Sequence, residues 1–364
     1  MDFTLSEEQV LIQQSVKELA QEWKDLSVKE ILQNLAEVDF LGVYLPEEVG
    51  GSGADFASYI LVLEELAKVS ASAALAFAIH STQASYFLYK WGTDIQKEKY
   101  LTNLCKGSAI GAFAFGEGWV GKDKLAIETV AEKFNGGYTL SGTKTFVYNG
   151  IESDVIVVFA QTGENLSAFV VETNTPGVSF SEPYKKMGLD GLSAATLTLD
   201  NVFVPAENLI GTEGQGKQII SSMSEVHSIS LAAIATGISQ VAMEKSISYG
   251  KERAQFNTPI IRFEALQEMV GKMSVNIDAS RLLTLRAAAT VDIKEEAANQ
   301  ASMARYFAIK TGEEICQDAI QIHGGYGYSK DLGVEVLLRD LKGLSVMEEQ
   351  VKPLIITIAR NEIA

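Results

Sequence analysis

Near the start of the chain, apolar residues return every three or four positions. Val10, Leu11, Val16, Leu19, Ala20 and Trp23 follow a capping pair, Ser6 with Gln9, and predict a helix. Gly50-Gly51-Ser52-Gly53 interrupts the pattern. A second helix is predicted from residue 57 to about 68, and an alanine-rich one over 70 to 89. The period then changes. Residues 138–144, 155–160, 168–171 and 195–199 are short β-branched runs, separated by Asn135-Gly136-Gly137, Thr162-Gly163 and Pro176-Gly177. They predict an antiparallel sheet or small barrel. Residues 204–208 and 211–216 read as a turn-rich linker. Helical spacing resumes over 219–251, 265–291 and 297–322, and Pro353 marks the first turn of a last helix. This helix–sheet–helix order predicts an α+β fold with units 1–110, 111–215 and 216–364.

Composition narrows the function. A net charge of −17 leaves no basic excess to displace the counterions of a nucleic acid. The two cysteines, Cys105 and Cys316, lie far apart with no metal-ligand spacing, which predicts free thiols in a reducing compartment. The opening residues lack the basic and apolar blocks of a signal peptide, and no apolar run is expected to reach membrane-spanning length. The expected location is the cytoplasm.

Candidate chemistry concentrates towards the C-terminus. Gln321-Ile322-His323-Gly324-Gly325-Tyr326-Gly327-Tyr328 ends one amphipathic run with a glycine-rich turn that lets backbone approach a ligand closely. The same glycine pair is also what a plain helix C-cap requires. Arg339-Asp340 follows, and then Met347-Glu348-Glu349, a carboxylate pair just before the last helix. A carboxylate there is either a candidate base or a partner for the positive end of the helix dipole.

These features, in this order, resemble the acyl-CoA dehydrogenase family of flavoproteins. The resemblance extends to Phe3-Thr4-Leu5-Ser6-Glu7-Glu8-Gln9, Leu45-Pro46-Glu47-Glu48-Val49-Gly50-Gly51-Ser52-Gly53, Lys186-Met187-Gly188 and Val202-Phe203-Val204-Pro205-Ala206-Glu207-Asn208-Leu209. Glu252-Arg253-Ala254-Gln255-Phe256-Asn257-Thr258-Pro259 is similar to the family's arginine–phenylalanine–proline motif. The resemblance implies an N-terminal helical domain, a central β domain and a C-terminal four-helix bundle. It also implies a homotetrameric dimer of dimers with FAD lying partly across a subunit interface. The implied reaction is α,β-dehydrogenation of an acyl thioester, acyl-CoA or carrier-bound, as in fatty acid metabolism. The implied electron acceptor is an electron-transfer flavoprotein or a similar partner. By position Glu348 matches the base, and the thioester oxygen is held by a flavin ribityl hydroxyl and the base's own backbone N–H. Arg253 matches a pyrophosphate partner, and Gln321 and Gly325 match contacts to FAD from the neighbouring subunit. Phe256, Gly324 and Gln350 belong to the same cofactor-binding stretches.

Several positions depart from the family pattern. In Phe113-Ala114-Phe115-Gly116-Glu117-Gly118-Trp119-Val120-Gly121-Lys122-Asp123, Gly116 replaces a threonine that bonds the flavin and Lys122 replaces a serine. In Lys144-Thr145-Phe146-Val147-Tyr148-Asn149-Gly150, Phe146 stands at a tryptophan and Tyr148 at a threonine. Phe113, Phe115, Gly116, Lys122, Phe146 and Tyr148 are therefore candidate FAD contacts, and the four aromatics read equally well as core residues on alternating strand positions. Glu349 stands where a glycine follows the base, and Ser228 where an arginine engages CoA. Glu225, Ser228 and Glu349 are the candidate substrate contacts. Asp190 replaces an arginine. Two other readings stay open: an oxidase or oxygenase on the same fold, and a non-catalytic paralogue that serves as one subunit of a hetero-oligomer.

Overall fold

The computed structural model describes residues 4–118, 127–347 and 351–363. The N-terminal region is helical because its caps and apolar stripes agree. Ser6 Oγ accepts the Gln9 N–H at 3.2 Å and Gln9 Oε1 accepts the Ser6 N–H at 3.0 Å, opening α1 (Glu7–Glu22). Val16, Ala20 and Trp23 are buried as expected, whereas Val10 and Leu11 face outward. Ser27 with Glu30 caps α2 (Val28–Glu37) in the same way. Next come α3 (Phe56–Val69) and α4 (Ala71–Ala78). The long helix expected to 89 is broken in kind: residues Ile79–Ser85 wind as a π-helix before α5 (Tyr86–Trp91). The short helices α6 (Asp94–Gln96) and α7 (Thr102–Cys105) complete the region.

The central strands are β1 (Gly111–Ala114), β2 (Val130–Phe134), β3 (Gly137–Tyr148), β4 (Val155–Thr162), β5 (Asn165–Glu172), β6 (Val178–Phe180), β7 (Ala194–Pro205) and β8 (Leu209–Ile210). They form one sheet ordered β6-β7-β3-β2-β4-β5-β8, with β1 added on β4. Residues 204 and 205, expected in a linker, are the end of β7. The sheet is also not purely antiparallel, since β1 runs parallel to β4 with Gly111 opposite Val155. The β2–β3 hairpin turns on Asn135 and Gly136, both at positive φ, the two-residue geometry that suits twisted strands. Side chains on β4 alternate: Val157 and Phe159 join the core shared with the helices, while Ile156, Val158 and Ala160 join the core on the opposite face.

The C-terminal region holds α8 (Gly216–Glu252), α9 (Glu264–Asp292), α10 (Ala298–His323), α11 (Gly325–Tyr328), α12 (Glu335–Val346) and α13 (Val351–Ile363), with the small hairpin β9 (Ala254–Gln255) and β10 (Thr258–Pro259) after α8. Pro353 falls in the first turn of α13, where its missing N–H costs nothing. The expectation about apolar runs needs correction. Helix α8 is long and apolar enough to cross a membrane, yet 83% of that stretch is buried in the fold. Its apolar character is that of a central core helix, packed on α3, α9 and α10.

Candidate active site

The sheet meets the helices at the start of β1. Gly111 N–H donates to His80 Nδ1 at 3.1 Å, and the other ring nitrogen of His80 lies 3.1 Å from the Leu104 carbonyl. Burial pulls the His80 pKa down to about 4, so the ring is neutral, with the proton on Nε2. A side chain at residue 111 would strike Ala84 Cβ at 2.5 Å, so glycine lets the strand sit directly on the π-helix.

Past β1 the chain is clamped from below. Lys144 Nζ donates to the Phe115 carbonyl at 3.1 Å and to Glu117 Oε1 at 2.5 Å. Glu117 also accepts the backbone N–H groups of Glu128 and Thr129. Burial pulls the Lys144 ammonium down to about 8, against the opposing pull of Glu117. Burial pushes Glu117 up, but the Lys144 charge and these hydrogen bonds outweigh it and hold the carboxylate below its ordinary value. Thr145 N–H donates to the Gly116 carbonyl at 2.9 Å, which joins the end of β1 to β3. A β-bulge between Lys144 and Val147 follows, with Phe146 at φ 51°. The Phe146 ring stacks on Tyr184 with centroids 4.4 Å apart. Tyr148 is half-buried against the main core.

The approach to the candidate base is held by a second set of bonds. Asp340 Oδ1 accepts the Leu189 N–H at 2.6 Å, and Arg339 Nη1 donates to the Met187 carbonyl at 2.8 Å and to Asp190 at 3.1 Å. A side chain at Gly188 would lie 2.3 Å from the Arg339 backbone. Asp190, which stands at a family arginine, is thus the partner of an arginine on α12. Beyond α12, the Met347 carbonyl accepts Arg305 Nη2 at 2.7 Å. Glu348, Glu349 and Gln350 lie outside the described residues, as does Lys122.

A third group gathers at one end of the helical bundle. Tyr249 on α8 stacks on His323 of α10 with centroids 4.4 Å apart. This brings the Arg253–Phe256 hairpin and the Gln321–Gly325 turn to the same end. Arg253 and Gln321 are exposed, and Arg253 joins no ion pair among the described residues. Phe256 is 91% exposed and adopts φ 52°, followed by Asn257 at φ 57°, so a bulky ring is held outward on a left-handed turn. Gly324 has φ 58° and ψ −132°, a conformation open essentially to glycine alone. Gly325 has no positive φ, and an added side chain there meets nothing within 4 Å.

Two expectations need correction. The Phe113 ring is buried among Phe87, Phe115 and Phe159, at centroid distances of 6.0, 6.2 and 5.8 Å, and belongs to the core. Ser228 is buried within α8 and presents no group at the surface to a CoA moiety. Glu225 is half-buried near the start of α10, where it accepts the Ala297 N–H at 3.4 Å, and burial raises its pKa. Sequence reasoning also missed residues. It gave no role to Lys144, Glu117, Tyr184 or Arg305. For Arg305 the available signal was a cation among Ala301, Ala304 and Ala308, on the apolar side of its helix.

The residues fit a flavin dinucleotide. Gly324 and Gly325 leave backbone open to close approach, and Arg253, without an ion pair among the described residues, offers a planar fork to a phosphate. Gly116 tolerates a neighbour, since the nearest atom to an added side chain there is the Thr145 carbonyl at 3.9 Å. Comparison with known proteins gives the same answer. The N-terminal, middle and C-terminal domain models of acyl-CoA dehydrogenases match residues 6–108, 112–202 and 214–361. The chain is 36% identical to the probable acyl-CoA dehydrogenase YngJ of Bacillus subtilis, with 96% of each chain covered. It is 35% identical to the caffeyl-CoA reductase–Etf complex subunit CarC of Acetobacterium woodii, over 90% of this chain and 89% of that one. The structure of butyryl-CoA dehydrogenase from Megasphaera elsdenii superposes with a TM-score of 0.95 at 31% identity, covering both chains fully (100%). The chain belongs to the acyl-CoA dehydrogenase family and is an FAD-dependent oxidoreductase of acyl-thioester CH–CH bonds.

Proposed function

We propose that Glu348 is the base that removes the α-proton of an acyl thioester. FAD, when bound, takes up the β-hydride. The observation that carries this reading is the docking of α12. Through Asp340 and Arg339 it grips the loop 187–190, which follows Tyr184, and Tyr184 stacks on Phe146. The residues that leave α12 lead directly to Glu348. Phe115, Gly116, Phe146 and Tyr148 form the cofactor-facing edge of the sheet in this reading. Arg253, Phe256, Gln321 and Gly325 reach the cofactor of a second copy. Two sets of residues on different parts of one chain, the second exposed, support a site shared between subunits.

A carboxylate removes so weak an acid's proton only where water is excluded and its own basicity is raised. The developing charge on the thioester oxygen is met by the backbone N–H of residue 348. The assembly is a homotetramer, a proposal supported by the exposed apolar residues Val275 and Leu282 on α9 and Ile355 and Ile356 on α13. The electron acceptor is an electron-transfer flavoprotein, as the name of the related Etf-complex subunit supports. The buried free thiols Cys105 and Cys316 support a cytoplasmic location, and the acyl-thioester chemistry supports a place in fatty acid metabolism.

The test is anaerobic mixing of the FAD-loaded protein with a panel of acyl-CoAs, followed by visible absorbance. One of them bleaches the flavin, and Glu348→Gln abolishes bleaching while retaining FAD. Undiminished bleaching by Glu348→Gln removes that residue from the role of base.

A further inference from the structure

The backbone after β1 is held by its carbonyls. Phe115 C=O accepts Lys144 Nζ at 3.1 Å, Gly116 C=O accepts the Thr145 N–H at 2.9 Å, and Gly118 C=O accepts Thr145 Oγ1 at 3.2 Å. The lysine is fully buried and Glu117 fixes its ammonium at 2.5 Å, while Gly116 itself is exposed. A peptide unit is planar and trans, with its C=O and N–H pointing in opposite directions. Lys144 therefore turns the Gly116 N–H away from itself, and that N–H meets no acceptor among the described residues. The nearest atom to a side chain added at Gly116 is 3.9 Å away, so nothing described in the chain crowds this edge.

From this we infer that Lys144 is a positioning residue for FAD, aiming the Gly116 N–H at a pyrimidine carbonyl of the flavin ring through the Phe115–Gly116 peptide. The role rests on the reading that Gly116 lies on the cofactor-facing edge of the sheet. Gly116 has no side-chain donor, so its backbone N–H is the one donor it can offer. The ring's strongest in-plane acceptors are its two carbonyl oxygens, and its dimethylbenzene end has none. The ammonium acts on the donor in two ways. Its position fixes the direction of the peptide. Its charge also draws electron density from the carbonyl it binds, which strengthens the N–H at the far end. Glu117 limits the second effect by offsetting the charge, so direction is the larger contribution. Reduction makes the pyrimidine half of the flavin more electron-rich, and a fixed donor there favours the reduced cofactor over the oxidised one.

FAD carrying ¹³C at C2 and C4 reports both carbonyls by NMR, and the midpoint potential of the bound flavin reports the balance of its two states. The double variant Lys144→Met, Glu117→Gln removes the anchor without leaving a buried charge unpaired. In it, one of the two resonances moves towards its position in an aprotic solvent. Reduced FAD binds that protein about tenfold less tightly relative to oxidised FAD, a fall of about 30 mV for a two-electron couple. Glu117→Gln alone keeps Lys144 on the Phe115 carbonyl, so it loses stability but leaves the resonance in place and does not lower the potential. That contrast separates positioning from packing. Unchanged resonances and potential in the folded double variant overturn the inference. So does a Glu117→Gln protein that lowers the potential as far as the double variant does. Should the double variant not fold, the unmodified protein labelled with ¹⁵N-glycine decides: a Gly116 amide proton that moves downfield on adding FAD supports the inference, and one that stays in place overturns it.

Failure of the underlying reading looks different. Gly116→Phe puts a ring on the cofactor-facing edge without touching Lys144, so it abolishes FAD binding in a protein that still folds. Retained FAD affinity in that variant rejects the edge itself. Lost affinity there, with unchanged readouts in the double variant, rejects the role of Lys144 alone.

Discussion

Lys144 reaches Glu117 across 27 residues of sequence, Nζ to Oε1 at 2.5 Å, and the lysine has no exposed surface. The pair fastens the segment after β1 to β3, beside Gly116 and Phe146. Removing one member of a buried pair leaves the other uncompensated, which costs about 3–5 kcal/mol. Glu117→Gln is expected to show that loss in urea unfolding at pH 6. The loss should shrink towards pH 9. Without the carboxylate nothing opposes the burial that already brings Lys144 to about 8 from 10.5, so the folded state releases its proton at lower pH than the unfolded state does. Where the unfolded chain binds more protons, stability rises with pH. In the unmodified protein the lowered Glu117 acts at the other end of the scale. Its contribution is present above 4.5 and is lost as pH falls through its depressed folded value. A destabilisation by Glu117→Gln that is the same at pH 6 and pH 9 would show that the charge of Lys144 is not the source.

The glycine pair at the end of α10 predicts a separation between folding and cofactor binding. Gly324 sits at φ 58° and ψ −132°, so Gly324→Ala should destabilise the chain by about 1–3 kcal/mol whether or not FAD is present. Gly325 is under no such constraint, and its surroundings within the chain are open. Gly325→Ala should leave the melting temperature of the FAD-free protein within about 2 °C, since surface changes rarely exceed 0.5 kcal/mol. FAD affinity should nevertheless fall at least tenfold. Equal affinity in the Gly325→Ala protein, by flavin fluorescence titration, would make the glycine pair a helix cap and nothing more.

Most of the architecture was legible because periodicity and caps agree. Ser6 with Gln9 opens α1, and the runs predicted over 219–251, 265–291 and 297–322 match α8, α9 and α10 to within a few residues. What escaped had a weak local signal or none. The π-helix at Ile79–Ser85 carries His80, Ser81, Thr82 and Gln83 into a wholly buried stretch, and nothing in their spacing distinguishes the wider turn from an α-helix. The parallel pairing of β1 with β4 joins Gly111 to Val155 across an intervening hairpin, a long-range choice that no turn residue records. Phe113 on β1 and Phe115 just beyond it are two residues apart, yet only the packing shows that the Phe113 ring lies within the aromatic core. The alanines around Arg305 hint that it is buried, but its partner, the Met347 carbonyl, is 42 residues away and leaves no local trace.

Phe256 was legible only through the motif it belongs to, and its geometry gives that motif a physical test. A left-handed backbone costs a residue with a Cβ about 1–2 kcal/mol, and Phe256 adopts φ 52° while burying almost none of its ring. Within one chain this arrangement is a net loss: strain without packing. Replacing the ring by glycine should therefore leave the FAD-free protein as stable as before, or up to about 1 kcal/mol more stable, because glycine takes positive φ at no steric cost. The compensation must come from whatever covers the ring in the assembled, cofactor-loaded protein. Phe256→Gly is thus expected to gain or hold stability without FAD and to lose it with FAD, so that the rise in melting temperature on adding the cofactor shrinks. Thermal melts of both proteins with and without FAD measure the difference directly. If Phe256→Gly melted lower than the unmodified chain in the absence of FAD, the ring would be supporting the fold of its own subunit, and its place at the cofactor would have to be given up.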